Sequence, residues 1–306
     1  MRRRGPYAWA LAAIAGIAAI VTPACTRAVP VDRAPGAASA PHAPSSVVAV
    51  AEPTPLDGAP PAATMASIAA AAPLSLAERA DGPHELPLAP GRSIYYARPR
   101  AGAPPWRLVG HLHGICYPPS YSCGTWLGAA IDVGVLVCPT GNARCGDAGI
   151  GPPSWEAPTW EELVATMDGD LERSIAKVEA RHRGSIRRDG AILTGFSRGA
   201  YAAPVIARLH PGRWPFLVLI EANVPLSVAS LRKAGVRAVA LVAGEVGTEI
   251  AGERKTASEL AQAGFPVRLF VMPRVAHLYS DDMDRIMADA LAFVLAHERD
   301  GDASAP

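Results

Sequence analysis

Ala191-Ile192-Leu193-Thr194-Gly195-Phe196-Ser197-Arg198-Gly199-Ala200-Tyr201 is the stretch on which the fold depends. Ala191 to Thr194 is a short apolar run, as a strand buried on both faces presents, and Ala200 to Leu209 reads as a helix. A serine therefore stands at a sharp bend from strand to helix, with Gly195 and Gly199 two residues to either side. A residue held on such a bend has strained backbone angles, and side chains at those two flanking positions would collide. The plainer alternative, a Gly-rich turn with a solvated serine, leaves the strand and helix flanks unexplained.

Outward from this bend the same alternation continues. Apolar runs at Leu86 to Leu88, Ser93 to Tyr96, Leu108 to Leu112, Gly134 to Val137, Phe216 to Ile220, Ala238 to Val242 and Val267 to Val271 read as strands. The first two, split by Ala89-Pro90-Gly91, read as a hairpin. Thr159 to His182, Leu226 to Ala234, Thr248 to Ala263 and Asp281 to Ala296 read as helices; in the last, Met283, Ile286, Met287, Ala290, Leu291 and Val294 form one apolar stripe. Short continuous runs alternating with amphipathic helices predict an α/β protein with a mostly parallel sheet covered on both faces.

A serine hydroxyl needs a base to take its proton before it can attack. Three histidines follow Ser197, and two are set aside: His210 ends the helix after the serine, and His297 closes the terminal helix. His277 remains, in the loop before the last helix. A carboxylate should fix its tautomer. No aspartate lies between Ser197 and His277, and Glu253 and Glu259 fall within a helical pattern. Glu249 is favoured, then Glu245, then Glu221. For an oxyanion, the backbone N–H of Arg198 offers one donor and that of Ile115, in the loop His113-Gly114-Ile115, the second. Trp126, Trp155 and Trp160 are candidates for lining an acyl pocket, with ordinary packing as the alternative. His111 and His113 alternate at a strand end, but no third ligand accompanies them, so no metal and no cofactor are expected.

The 306 residues are 50% hydrophobic, which excludes a wholly disordered chain, and 29 Lys and Arg against 28 Asp and Glu leave no field to hold nucleic acid. Three arginines precede an apolar run from Tyr7 to Val21, as in a secretory signal over residues 1–24. Cys25 follows Ala24 in a context resembling the lipobox of bacterial lipoproteins, so a lipid there is the expected link to a membrane. Removing residues 1–24 leaves 26 basic and 28 acidic groups. Residues 25–75 are Ala- and Pro-rich and read as a semi-rigid tether, ahead of a folded domain over 76–298 and a disordered tail over 299–306. Cys116, Cys123, Cys138 and Cys145 make an even set in an exported chain, pointing to two disulfides. The equal separations favour two local staples, Cys116 to Cys123 and Cys138 to Cys145.

With His113-Gly114, Gly195-x-Ser197-x-Gly199, a late acidic loop and His277 in that order, residues 86 to 297 resemble the α/β-hydrolase superfamily, and within it the dienelactone-hydrolase and prolyl-oligopeptidase-like esterases. The resemblance implies a three-layer sandwich on an eight-stranded sheet, Ser197 as nucleophile, His277 as base and an acyl-enzyme intermediate. One position departs: the Gly-x-x-Asp of the superfamily reads Gly244-Glu245-Val246-Gly247 here. The expectation is thus an exported serine hydrolase, a monomer in the cell envelope, periplasm or extracellular space, that cleaves small esters. The alternative is a tethered binding protein on an impaired hydrolase fold.

Overall fold

In the computed structural model residues 82–298 are described. The signal segment 1–24, the lipid site Cys25, the tether 25–75, the opening of the expected domain at 76–81 and the tail 299–306 lie outside the described residues. Strands β1 (His84–Ala89) and β2 (Arg92–Ala97) pair antiparallel around a turn in which Gly91 takes a φ of 69°, open to glycine at no steric cost. There follow β3 (Trp106–Leu112), helices α1 (Pro119–Gly124) and α2 (Leu127–Val133), β4 (Val135–Pro139), and a small hairpin of β5 (Ala143–Arg144) with β6 (Pro153–Ser154). Helix α3 (Trp160–Arg181), β7 (Ile186–Phe196), α4 (Arg198–Leu209), β8 (Phe216–Ile220), α5 (Val228–Lys233), β9 (Ala238–Gly244), α6 (Ile250–Gln262), β10 (Val267–Met272) and α7 (Met283–Ala296) complete the domain.

The main sheet has eight strands in the order β1-β2-β4-β3-β7-β8-β9-β10, parallel from β4 onward, with β1 and β2 antiparallel at one edge. The continuous apolar runs exist because each central strand feeds two cores. Leu193, Leu217, Leu219, Val239 and Leu241 face the core under α3 to α6, while Ile192, Phe216, Val218, Ile220 and Val242 face the one under α2 and α7. The six-residue stripe of α7 is buried in that second core. Helices α1 and α2 occupy a stretch read from sequence as connection. They bury Cys123, Leu127 and Ile131, and Trp126 between them is fully buried.

The disulfides correct the expected pairing: Cys116 bonds Cys145 and Cys123 bonds Cys138. Tertiary contact overrides sequence proximity at both. Cys123 lies on the buried side of α1, which packs on β4, and so meets Cys138 in that strand. Cys116 meets Cys145 because the segment after β3 runs beside the small hairpin, where Tyr117 N–H donates to Pro153 O at 3.1 Å. Among the described residues no helix is long and apolar enough to cross a membrane.

Candidate active site

The parallel strands end on one rim of the sheet, and three of those ends build the site. At the end of β7, Ser197 takes φ 51° and ψ −118°, a conformation few non-glycine residues adopt. The bend tolerates nothing larger than glycine beside it. A Cβ at Gly195 would lie 2.4 Å from the Gly199 carbonyl, and one at Gly199 would lie 2.0 Å from Leu112 O.

His277, in the loop between β10 and α7, turns Nε2 to Ser197 Oγ at 2.8 Å and Nδ1 to Glu221 Oε2 at 3.2 Å. Glu221 accepts, so Nδ1 carries the proton and Nε2 is free to accept from the serine hydroxyl. The hydrogen bond to Glu221 raises the His277 pKa above the ordinary histidine value, against the opposing effect of burial. Glu221 itself follows β8 with φ 56° and is fully buried; its Oε1 accepts the N–H of Gly244 at the end of β9.

The carboxylates preferred from sequence stand elsewhere. Glu249 accepts from Asn223 N–H at 3.0 Å and from the Tyr201 hydroxyl at 3.3 Å, and the exposed Glu245 accepts from Arg274 N–H at 2.9 Å. The sequence ranking is therefore corrected: the acid in contact with His277 is Glu221. Its signal was present, since a lone carboxylate closing a five-residue apolar strand faces the same rim as a serine closing the strand beside it.

The loop after β3 crosses above the serine. A Cβ on Gly114 would fall 3.1 Å from Ser197 Cβ and 2.8 Å from the Phe196 ring, so glycine is what allows this approach. His113 is buried, donates from Nδ1 to Gly114 O at 2.7 Å and accepts the Gly141 N–H at Nε2 at 2.9 Å. Burial lowers its pKa to about 4, which keeps it neutral in that tautomer. Because C=O and N–H of one trans peptide point in opposite directions, fixing Gly114 O also fixes the Ile115 N–H. Arg198 opens α4, so its N–H has no intrahelical acceptor.

Of the three tryptophans, Trp155 is buried, stacks on His113 and donates to its carbonyl at 3.0 Å, and Trp126 packs against His111. Trp160 lines a cavity, about 540 Å³ in volume, with Tyr201, Val205, Val224 and Leu226. His111 serves a buried relay. Thr194 Oγ1 donates to Gly110 O at 3.1 Å and accepts from His111 Nδ1 at 2.7 Å; His111 Nε2 accepts from Ser122 Oγ at 2.8 Å, which accepts from Tyr279 OH at 2.6 Å. Tyr279 lies two residues past His277, so the relay anchors the histidine loop to the sheet.

Strand order, the serine bend after β7 and an imidazole from the loop after the last strand together define an α/β-hydrolase fold. No family model matches the chain, and no curated protein is similar to it in sequence. Three solved structures similar to it are a Thermus thermophilus protein (19% identity, 68% of this chain and 94% of that one, TM-score 0.47), esterase PE8 (19%, 67% and 99%, 0.49) and a Bacillus cereus carboxylesterase (15%, 67% and 94%, 0.48).

Proposed function

We propose that this chain is a serine hydrolase acting on small carboxylic esters, with Ser197 as nucleophile, His277 as general base and Glu221 as the acid. The observation that carries the reading is the unbroken contact from Ser197 Oγ through the His277 ring to a fully buried carboxylate, with the serine on a strained bend. In the first half-reaction His277 Nε2 takes the hydroxyl proton as Ser197 Oγ bonds to the ester carbonyl carbon. The carbonyl oxygen becomes an oxyanion facing the backbone N–H groups of Arg198 and Ile115. His277 then returns the proton to the departing alkoxide, leaving an acyl-serine. Water repeats the sequence, releasing the acid and regenerating the hydroxyl. Glu221 keeps the imidazole in the tautomer that both halves require and offsets the charge on the imidazolium.

The binding-protein reading draws on the absence of an acid at Gly247 and on a tether suited to display; Glu221 beside His277 answers the first of these and supports the enzyme. Export and a lipid at Cys25 belong to the same proposal; the two disulfides favour an oxidising compartment. The test is labelling of the purified protein with a fluorophosphonate probe and turnover of short acyl esters. Wild type should label and turn over, and Ser197→Ala should do neither while retaining its far-UV circular dichroism. A wild-type protein inert in both assays refutes the proposal.

A further inference from the structure

Glu221 reaches His277 from a backbone conformation that side chains disfavour, with φ 56°, so something must hold the turn that follows β8. Two carboxyl groups at the start of α6 do so, Glu249 as its N-cap and Glu253 in its first turn, and neither is used in the chemistry above. Glu253 is fully buried and accepts the N–H of Ala222 at Oε1, 2.8 Å away; Glu249, one helical turn earlier, accepts the N–H of Asn223 at Oε2, 3.0 Å away. These are the two amides directly after Glu221. In an extended strand successive N–H groups point to opposite sides, so a pair of acceptors at i and i+4 of one helix selects the bent conformation over the extended one. The approach is close: a Cβ on Gly252 would overlap the Asn223 side chain. Glu249 also receives the hydroxyl of Tyr201, one turn past Ser197, and so joins the helix of the serine to the turn of the acid.

Glu253 occupies its place at a cost. Its Oε2 is buried without a hydrogen-bond partner, and burial, with Glu221 and Glu249 adding repulsion, pushes its pKa up to about 9. A carboxyl kept neutral by burial, where a hydrocarbon side chain would escape that penalty, is the kind of residue held for a task other than stability.

We propose that Glu253 and Glu249 are positioning residues, clamping the two amides after Glu221 so that its carboxylate stays against the His277 ring. The inference rests on the Ser197, His277 and Glu221 reading. Its test is therefore read both on the imidazole and on turnover. The ionisable groups facing His277 are Glu221 from the end of β8 and, farther off, Glu249 from α6. The His277 ring protons would be titrated by NMR in wild type, Glu253→Leu, Glu253→Gln, Glu249→Ala and Glu249→Gln, and kcat and KM measured for a short acyl ester.

In Glu253→Leu the His277 midpoint should fall toward the ordinary value of about 6.5, with kcat lowered at least tenfold and KM within about twofold. Glu253→Gln, which keeps an acceptor for Ala222 N–H, should recover most of both. Glu249→Ala, at a partly exposed position, should lower kcat by less. Because the Glu249 charge by itself raises the His277 pKa, the midpoint in Glu249→Ala is read against Glu249→Gln, which loses the charge but keeps an acceptor for Asn223 N–H and should recover kcat. This pair, with Glu253→Gln, decides the matter if Glu253→Leu does not fold. A Glu249→Ala midpoint equal to that of Glu249→Gln, with an unmoved midpoint in any folded Glu253→Leu, overturns the clamp, as does a Glu253→Gln variant as impaired as Leu. A wild type that turns over no ester defeats the hydrolase reading alone, since the NMR titration still decides whether the clamp exists.

Discussion

The turns after β8 and β9 lie side by side on the same rim, and each offers a carboxylate within a few residues of a strand end. They treat it in opposite ways. After β8 the chain buries Glu221 completely, in a left-handed conformation, and aims it at His277. After β9, where the resemblance places an acid, Gly247 stands instead, and the neighbouring Glu245 faces solvent and accepts from Arg274 N–H. The second turn serves the first: the N–H of Gly244 is a donor to the Glu221 carboxylate. A rim built from several strand ends can therefore take its acid from either of two, provided that the other leaves room. Glutamate suits the β8 position, since its extra methylene carries the carboxylate toward a ring held by the loop beyond β10.

The largest effect should separate the two turns outright. Glu221→Gln should lower kcat by roughly a thousandfold or more, because the amide no longer enforces the proton on Nδ1, while Glu245→Gln should stay within about twofold; steady-state turnover of a short ester measures both. Equal losses in the two variants would dissolve the contrast. Next comes Gly244→Ala. Its Cβ would sit 2.2 Å from Ala276 O, 2.5 Å from Val275 O and 2.9 Å from Glu221 Oε1. A loss of about 2 kcal/mol or more in denaturant unfolding is expected, accompanied by a fall in kcat, and an alanine variant as stable as wild type would contradict the packing.

A smaller gain would sharpen the comparison. Placing the acid where the resemblance has it, as Glu221→Gln with Gly247→Asp, should recover on the order of tenfold over Glu221→Gln alone; no recovery would mean that the β9 turn no longer points at the ring. The smallest effect concerns pH. The folded pKa of His277 is raised, so its contribution to stability is fully present below the unfolded value of about 6.5 and is lost as pH rises through the folded value. Glu221→Gln should therefore cost more stability at pH 6 than at pH 9, by thermal melting in matched buffers. A cost independent of pH would show that the pair is not coupled in this way.

Much of this was legible from residues alone. The runs Phe216 to Ile220 and Ala238 to Val242 read as strands because alternate residues serve two cores, leaving no polar face, and the stripe on α7 read as a helix for the converse reason. Ser197 was given by its glycines, and elimination among three histidines left the ring that its hydroxyl meets. Helices α1 and α2 escaped because they are short and Pro118, Pro119, Gly124 and Gly128 break up their stretch with residues that usually end helices. The ranking of the acids fails because Glu221 meets His277 from the end of β8, over the end of β9 to the loop after β10, a neighbourhood that position along the chain does not carry. The cystine pairing failed likewise: equal spacing is a property of the chain, while bonding follows which element packs on which.

The two cystines are nested, with Cys123 to Cys138 lying within the span of Cys116 to Cys145. A peptide bond cut anywhere from residue 124 to 137 would thus leave both fragments tied twice over. Such damage would be silent on a non-reducing gel and visible only after reduction, so the segment just downstream of the proposed oxyanion loop is one in which a nick need not separate the molecule.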